Sequence, residues 1–352
     1  MTGSLRLQWL MERRETQEAM PRRLRSAREN PPTVEVEIDL ARQGSNQLDQ
    51  TVRFLTTASP TPTHSPVILR TPSRLPDITS DDLRILRTKQ RRLQRSASLT
   101  AQATRELGPW VLQGLASTLI FAQHEAGTAV CIDPRGWILT CAHCFGETDR
   151  EWRAHRRKWL LCYTGLAVQV ECRVWDARRD LALAKVVCIE APEELSSSHP
   201  VTPVFAFVTL STSQSTTAPI ICIGQPGADD LESAAPRKTA YDLIEISKGR
   251  LCGMIPDVDP QENSEMGALK HDAWTYWGHS GAPLLRRVDG SLLGLHSSWD
   301  DSTTMRHGVP LVAIKAFLSE HLPEDDVDVG LTESARSLEK KEPEIIVIDS
   351  SD

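Results

Sequence analysis

Apolar positions change rhythm once along the chain, near Gly108. Ahead of it they are sparse and broken by charge and proline. Beyond it, short apolar runs alternate with Gly, Pro, Asp and Ser clusters, the pattern of an all-β domain. The runs predict strands over 116–122, 127–132, 137–141, 159–163, 167–175 and 181–188, six for a first unit at about 108–198. After a polar, proline-flanked linker over 191–203, they predict strands over 204–208, 219–224, 243–247, 250–255, 281–286, 291–298 and 307–310, a second unit at about 203–310. Asp133-Pro134-Arg135-Gly136 supplies a turn, since proline presets one dihedral and glycine accepts a positive φ. The stretches 229–238 and 256–267 read as charged, proline-bearing surface loops. Apolar residues three and four apart from Leu311 predict a closing helix over 311–322.

The flanks are different. Residues 1–107 read as a disordered basic arm, because Thr56 to Pro66 is too rich in Pro, Thr and Ser to bury a face. Within the arm, Val34 to Leu40 alternates with period two, but a lone strand is unstable. Asp81 to Arg95 reads as a short basic helix with Thr79 or Ser80 as cap, its charge run most simply a solvated face. Residues 323–352 read as an acidic, disordered tail ending in Ile345-Ile346-Val347-Ile348-Asp349.

Charge sharpens that division: residues 1–107 carry 18 Lys/Arg against 12 Asp/Glu, the remainder 22 against 35. Nothing in the basic arm interleaves aromatics with the charge, so nucleic acid is a poor fit as partner. No apolar run approaches the roughly 20 residues of a membrane span. The first 28 residues lack a signal-peptide core, which points to a nuclear or cytoplasmic address; the arginine-rich start leaves mitochondrial import open. The eight cysteines mostly fall inside apolar runs and read as small buried hydrophobes in a reducing compartment.

Candidate chemistry centres on Gly278-His279-Ser280-Gly281-Ala282-Pro283. Glycines on both sides of a serine permit a tight turn. A serine hydroxyl needs a base, and the base an orienter. His143, in Thr140-Cys141-Ala142-His143-Cys144, and Asp180, ahead of Leu181-Ala182-Leu183-Ala184, supply them in the chain order His, Asp, Ser. Taken singly, each has a plain alternative: a turn serine, a core histidine, an acid that opens a strand. Cys141-Ala142-His143-Cys144 invites a zinc reading, but no second ligand pair at finger spacing follows, so no metal or other cofactor is expected.

Here the chain resembles the chymotrypsin-like (trypsin-like) serine peptidases. The matching stretches are Gly127-Thr128-Ala129-Val130, Gly136-Trp137-Ile138-Leu139-Thr140 with Ala142-His143, Asp180-Leu181-Ala182-Leu183, Ile223-Gly224-Gln225-Pro226, and Asp272-Ala273 ahead of Gly278 to Pro283. The last two look closest to the HtrA/Deg branch, although the roughly thirty residues after Leu322 leave no room for that branch's PDZ domain. The resemblance implies two six-stranded antiparallel β-barrels, a serine endopeptidase acting on proteins or peptides, a catalytic triad of His143, Asp180 and Ser280, and an oxyanion hole from the N–H groups of Gly278 and Ser280. It places substrate-binding residues at Trp274, Tyr276, Trp277, Ser298 and Trp299. With no acid at the pocket base, unless Asp272 or Asp300 reaches it, small or medium apolar side chains are the expected preference. His279 departs from the aspartate that zymogen-forming relatives carry there, arguing against activation by N-terminal cleavage. Ala282 replaces the usual glycine. A disulfide at Cys144, as in secreted relatives, lacks a cysteine at the expected partner position.

The C-terminal Ile345, Ile346, Val347 and Ile348, flanked by acids and serines, resemble a SUMO-interacting motif, which would add a strand to a partner's sheet. The alternative for this segment is a strand that returns to its own barrel. For the whole chain the alternative is a catalytically silent pseudopeptidase serving as a SUMO-binding scaffold.

Overall fold

The computed structural model describes residues 52–56, 66–70, 74–123, 127–191, 201–230, 233, 235–300 and 302–323. The Val34 to Leu40 alternation and the C-terminal Ile345 to Ile348 motif lie outside them.

Six strands form the first barrel: β3 (Thr118–Phe121), β4 (Thr128–Cys131), β5 (Trp137–Thr140), β6 (Arg157–Cys162), β7 (Ala167–Asp176) and β8 (Leu181–Ala191). They pair antiparallel in the order β8-β5-β4-β3-β6-β7, and β7 closes onto β8. A second closed barrel follows the order β10-β11-β12-β15-β14-β13, with β10 at Pro219–Gly224, β11 at Glu245–Met254, β12 at Leu269–His271, β13 at Pro283–Arg286, β14 at Leu292–Trp299 and β15 at Arg306–Pro310. Outside the barrels, β1 (Val52–Thr56) pairs with β9 (Val201–Phe205), and β2 (Val67–Arg70) adds to β8 in parallel. The helices are α1 (Ser80–Leu107), α2 (Pro109–Ser117), α3 (Asp149–Ala154) and α4 (Leu311–His321). None of the described helices is long and apolar enough to cross a membrane.

Period-two alternation explains why these strands serve two cores at once. Ile138, Ala182 and Ala184 fill the first barrel with Leu119, Phe121 and Leu160. Their neighbours Leu139, Leu181 and Leu183 face the opposite way, into a core between the barrels. On β10, Ile220 and Cys222 enter the second barrel while Ile221 and Ile223 join that shared core, together with α2 and α4 residues such as Leu115, Ile314 and Phe317. Fully buried side chains of this size each contribute about 1.5–3 kcal/mol, so the barrels are held together by the same strands that build them.

The barrels and the closing helix match the sequence expectation, with four corrections. Val201–Phe205 pairs with β1 rather than opening the second barrel. Residues 243–247 and 250–255 belong to one strand, and the short β12, hidden beside a loop, takes the sixth place. The linker read over 191–203 is entered by β8 and β9. The folded body also begins well ahead of Gly108, so the basic arm does not extend to residue 107. Helix α1 has 28 residues, and the Thr79 hydroxyl caps it by accepting from the Asp82 N–H at 3.1 Å. It buries Leu86, Leu93, Ala97, Ala101 and Thr104, a stripe at sevens, fours and threes whose alanines carry little hydrophobic signal. Leu86 and Leu93 pack on Ile120, Trp159 and Leu161 of the first barrel. The charges on the helix dock it too: Arg87 meets the mostly buried Glu190 at 2.6 Å. Lys89 donates to the carbonyls of Phe121 (2.8 Å) and Gln123 (3.0 Å), and burial lowers its pKa to about 8.

Truncating this stripe should therefore destabilise the barrels. Leu93→Ala is expected to lose about 2–5 kcal/mol in denaturant unfolding, whereas Leu99→Ala, at a position 71% exposed, should stay within about 0.5 kcal/mol of wild type.

Candidate active site

Strand β5 runs out at Thr140, and a 3-10 turn over Ala142–Cys144 presents His143. Trp175 on β7 pins that turn, its indole N–H donating to the carbonyls of Ala142 (2.9 Å) and Gly146 (3.2 Å). Asp180 closes the turn ahead of β8 at a φ of 50°, a conformation aspartate tolerates better than most residues. Braces on both sides hold it. Arg179 pairs with Asp176 (3.0 Å) and with Glu320 of α4 (2.6 Å), and Arg178 reaches Asp259 (2.7 Å) in the second-barrel loop.

These turns bring His143 and Asp180 together. The two carboxylate oxygens lie 2.9 and 3.0 Å from His143 Nδ1, and one of them also accepts the His143 backbone N–H at 3.2 Å. A carboxylate only accepts, so the imidazole carries its proton on Nδ1, which leaves Nε2 as the basic nitrogen.

Ser280 lies on the turn entering β13, between Gly278 (φ 100°) and Gly281 (φ 82°). A Cβ at Gly281 would overlap the Thr128 carbonyl and the Thr140 hydroxyl, so only glycine fits. Thr128 ties the turn to the first barrel: its N–H donates to the Ser280 carbonyl (2.9 Å) and its hydroxyl to the Gly278 carbonyl (3.2 Å), while that hydroxyl accepts from the Gln225 N–H (2.9 Å). The Ser280 hydroxyl donates to the Ser297 carbonyl at 3.4 Å. Among the described residues, no backbone acceptor is bonded to the N–H of Gly278 or of Ser280.

Behind the serine lie three buried imidazoles. His271 Nε2 and His296 Nδ1 are 3.0 Å apart. The His279 ring packs edge-on to Trp274, with centroids 5.5 Å apart. His279 Nδ1 lies within reach of both the Tyr276 carbonyl (3.0 Å) and the Tyr276 N–H (3.1 Å), and one nitrogen cannot serve both. His279 Nε2 is buried with no partner among the described residues. Desolvation is the chief cause that pushes all three pKa values down, to about 3 for His271, to about 4 for His279, and well below 6.5 for His296. The position before the nucleophile is thus filled by a neutral, fully packed ring.

Of the expected substrate-binding residues, Trp274 and Tyr276 stack (6.4 Å between centroids, 6° between planes), and Tyr241 packs on both at 5.0 and 5.3 Å. Trp277 is exposed. The Ser298 hydroxyl accepts from the Gly267 N–H at 3.2 Å, and Trp299 ends β14. Asp272 accepts from the Arg250 N–H of β11 (2.6 Å) and Asp300 from the Ser302 N–H of its own turn (2.9 Å), so both carboxylates are engaged. A groove of about 360 Å³ between α1 and residues 242–244 touches none of His143, Asp180 or Ser280. That does not count against the site, since a peptide read by strand pairing uses an open sheet edge. Sequence reasoning missed Trp175 and Tyr241, and it gave Thr128, inside the Gly127–Val130 stretch, no role; each joins through contacts distant in the chain.

Two closed six-stranded barrels, with a histidine and an aspartate from one beside a glycine-flanked serine from the other, have the architecture of the chymotrypsin-like serine peptidases. Residues 127–295 match the family model of the trypsin-like peptidase domain. Two solved structures are similar. The inactive form of a mutant of Rv3671c from M. tuberculosis H37Rv is 15% identical over 61% of this chain and 92% of that one, with a TM-score of 0.42. The HtrA-type protease AlgW, solved with a decapeptide, is 17% identical over 56% of this chain and 52% of that one, with a TM-score of 0.38. Neither likeness bears on what this chain binds or cuts. No curated protein matches the chain at a significant level.

Because the three buried rings protonate more readily in the unfolded chain, the stability they contribute is present above pH 6.5 and is lost as the pH falls toward about 4 and 3. Thermal midpoints should therefore fall between pH 6.5 and 5, each ring contributing up to about 1.4 kcal/mol per pH unit. A flat profile over that window would contradict neutral burial. Thr128→Val should cost about 1–3 kcal/mol for each polar group it orphans, Gly278 O and Gln225 N, read as a lowered unfolding midpoint.

Proposed function

We propose that this chain is a serine endopeptidase working through His143, Asp180 and Ser280. The observation that carries the reading is the two-oxygen grip of Asp180 on His143 Nδ1 (2.9 and 3.0 Å), on the barrel to which Thr128 ties the Ser280 turn. A histidine merely filling a core would not need a carboxylate aligned on one nitrogen and a basic nitrogen left over.

In this mechanism the Ser280 hydroxyl leaves the Ser297 carbonyl and gives its proton to His143 Nε2 as the oxygen attacks the scissile carbonyl. Asp180 stabilises the imidazolium that forms. The N–H groups of Gly278 and Ser280 receive the developing oxyanion, each such donor being worth about 3–4 kcal/mol of barrier. His143 then returns the proton to the departing amine, leaving an acyl-enzyme on Ser280. A water activated by the same nitrogen attacks the ester and releases the acid product.

The buried, neutral His279 supports this turn without a charged N-terminus to pair with, favouring a site formed without N-terminal cleavage. The stacked Trp274 and Tyr276, with Tyr241 packed on both, form a bulky wall, which supports a preference for small or medium apolar side chains.

A fluorophosphonate probe tests the proposal. Wild type should label, Ser280→Ala should not, and Asp180→Asn should react on the order of 10⁴-fold more slowly. Absence of labelling under every condition would sink the peptidase reading in favour of a silent scaffold.

A further inference from the structure

The triad accounts for His143 and Asp180 but not for Cys141. This thiol is fully buried at the entry to the histidine turn. One ligand atom each from Cys141, His143 and Asp180 lies within 4.8 Å of the others. The sequence offered no second ligand pair at finger spacing; folding supplies the third ligand instead, from Asp180, 37 residues beyond His143.

We propose that Cys141, His143 and Asp180 form a zinc site, and that zinc bound there switches the peptidase off. Zinc takes sulfur at about 2.3 Å and nitrogen or carboxylate oxygen at about 2.0–2.2 Å, so tetrahedral ligand atoms stand roughly 3.3–3.7 Å apart. Moving His143 Nδ1 and the Asp180 oxygen a few tenths of an ångström from their 2.9 Å contact admits the ion between them. A thiolate, a neutral imidazole and a carboxylate balance the two positive charges, as a poorly hydrated site requires. The same set selects zinc-like borderline ions over calcium or magnesium, which prefer oxygen alone. Three protein ligands leave the fourth position to water.

The neighbourhood tolerates the exchange. Coordination releases the thiol proton to solvent and moves the imidazole proton from Nδ1 to Nε2, so the ring stays neutral. The His296 carbonyl, which the Cys141 thiol now faces at 3.4 Å, keeps its bond from the Gly281 N–H at 2.8 Å, so no buried acceptor is orphaned. Cys144 is not a ligand, its Sγ being turned to the Ser280 carbonyl at 3.6 Å. The His143 and Asp180 side chains retain some exposure, 19% and 10%, and give the ion its way in. Zinc on Nδ1 removes the Asp180 hydrogen bond and leaves the ring proton on Nε2, which then has no lone pair to take the Ser280 proton. The inhibitory consequence rests on the peptidase reading; the site itself does not.

Cobalt substitution of the full chain separates the two. One equivalent of Co²⁺ should give a near-ultraviolet thiolate-to-cobalt band in wild type, in Cys144→Ala and in Cys252→Ala, and none in Cys141→Ala. X-ray absorption on wild type, which needs no variant to fold, should find one sulfur ligand. Fluorophosphonate labelling of wild type should slow by about tenfold or more with zinc and recover with chelator, whereas in Cys141→Ala zinc should change it by less than about twofold. A band that persists in Cys141→Ala, or a cobalt centre with no sulfur, overturns the site. If wild type binds cobalt through Cys141 but never labels, the site stands and the peptidase reading falls.

Discussion

Thr128 is the joint on which the candidate site depends. Its N–H and hydroxyl hold the carbonyls of Ser280 and Gly278, its hydroxyl oxygen takes the Gln225 N–H, and its own carbonyl accepts from the Thr140 hydroxyl at 2.7 Å. Every one of these groups is buried or partly buried, so leaving any unmade would cost more than the bond itself gains. The constraint is therefore directional: the nucleophile turn can sit against β4 in one register only. Gly281 completes the fit, because a side chain there would strike the same Thr128 carbonyl. The serine's place is thus set by backbone groups of the other barrel.

The histidine and the aspartate obey a related logic. Each sits on a turn rather than within a strand, where backbone polar groups are not consumed by the ladder and can be pinned individually. Trp175 pins one turn through carbonyls, and Arg179 pins the other through Asp176 and Glu320. The Arg179 bridge to α4 also explains why the closing helix matters to the site: it caps the shared core through Ile314 and Phe317 while bracing the Asp180 turn. Three neutral imidazoles packed behind the serine then fill space that the fold leaves apolar, at the expense of stability in acid.

The N-terminal helix shows how charge can conceal a packed element. Read as a sequence, Asp81 to Arg95 is a run of basic residues with a cap. In the fold, Arg87 and Lys89 bury much of their length and satisfy Glu190 and two backbone carbonyls, while Leu86 and Leu93 pack on the outside of the first barrel. Long basic side chains lend their methylene stems to such an interface and keep polar heads for partners. The alanines that extend the stripe toward Leu107 are small enough for close approach but carry almost no hydrophobic signal.

Local chemistry was legible wherever one residue type at one place suffices. Glycines around Ser280, Asp-Pro-Arg-Gly in a turn, period-two runs on strands and three-four spacing on the last helix all report the backbone they occupy, because dihedral limits and side-chain direction act within a few residues. That was enough to find the strands of two β units and to pick out His143, Asp180 and Ser280 as candidates, while the two barrels came with the family resemblance. Tertiary structure alone decided which distant groups meet: Thr128 with the Ser280 turn, Tyr241 with Trp274, Cys141 with Asp180, β12 as the sixth strand of its barrel and α1 as part of the body. These contacts depend on how curved sheets close and where their ends converge, and no periodicity within a segment encodes a partner that lies dozens of residues away.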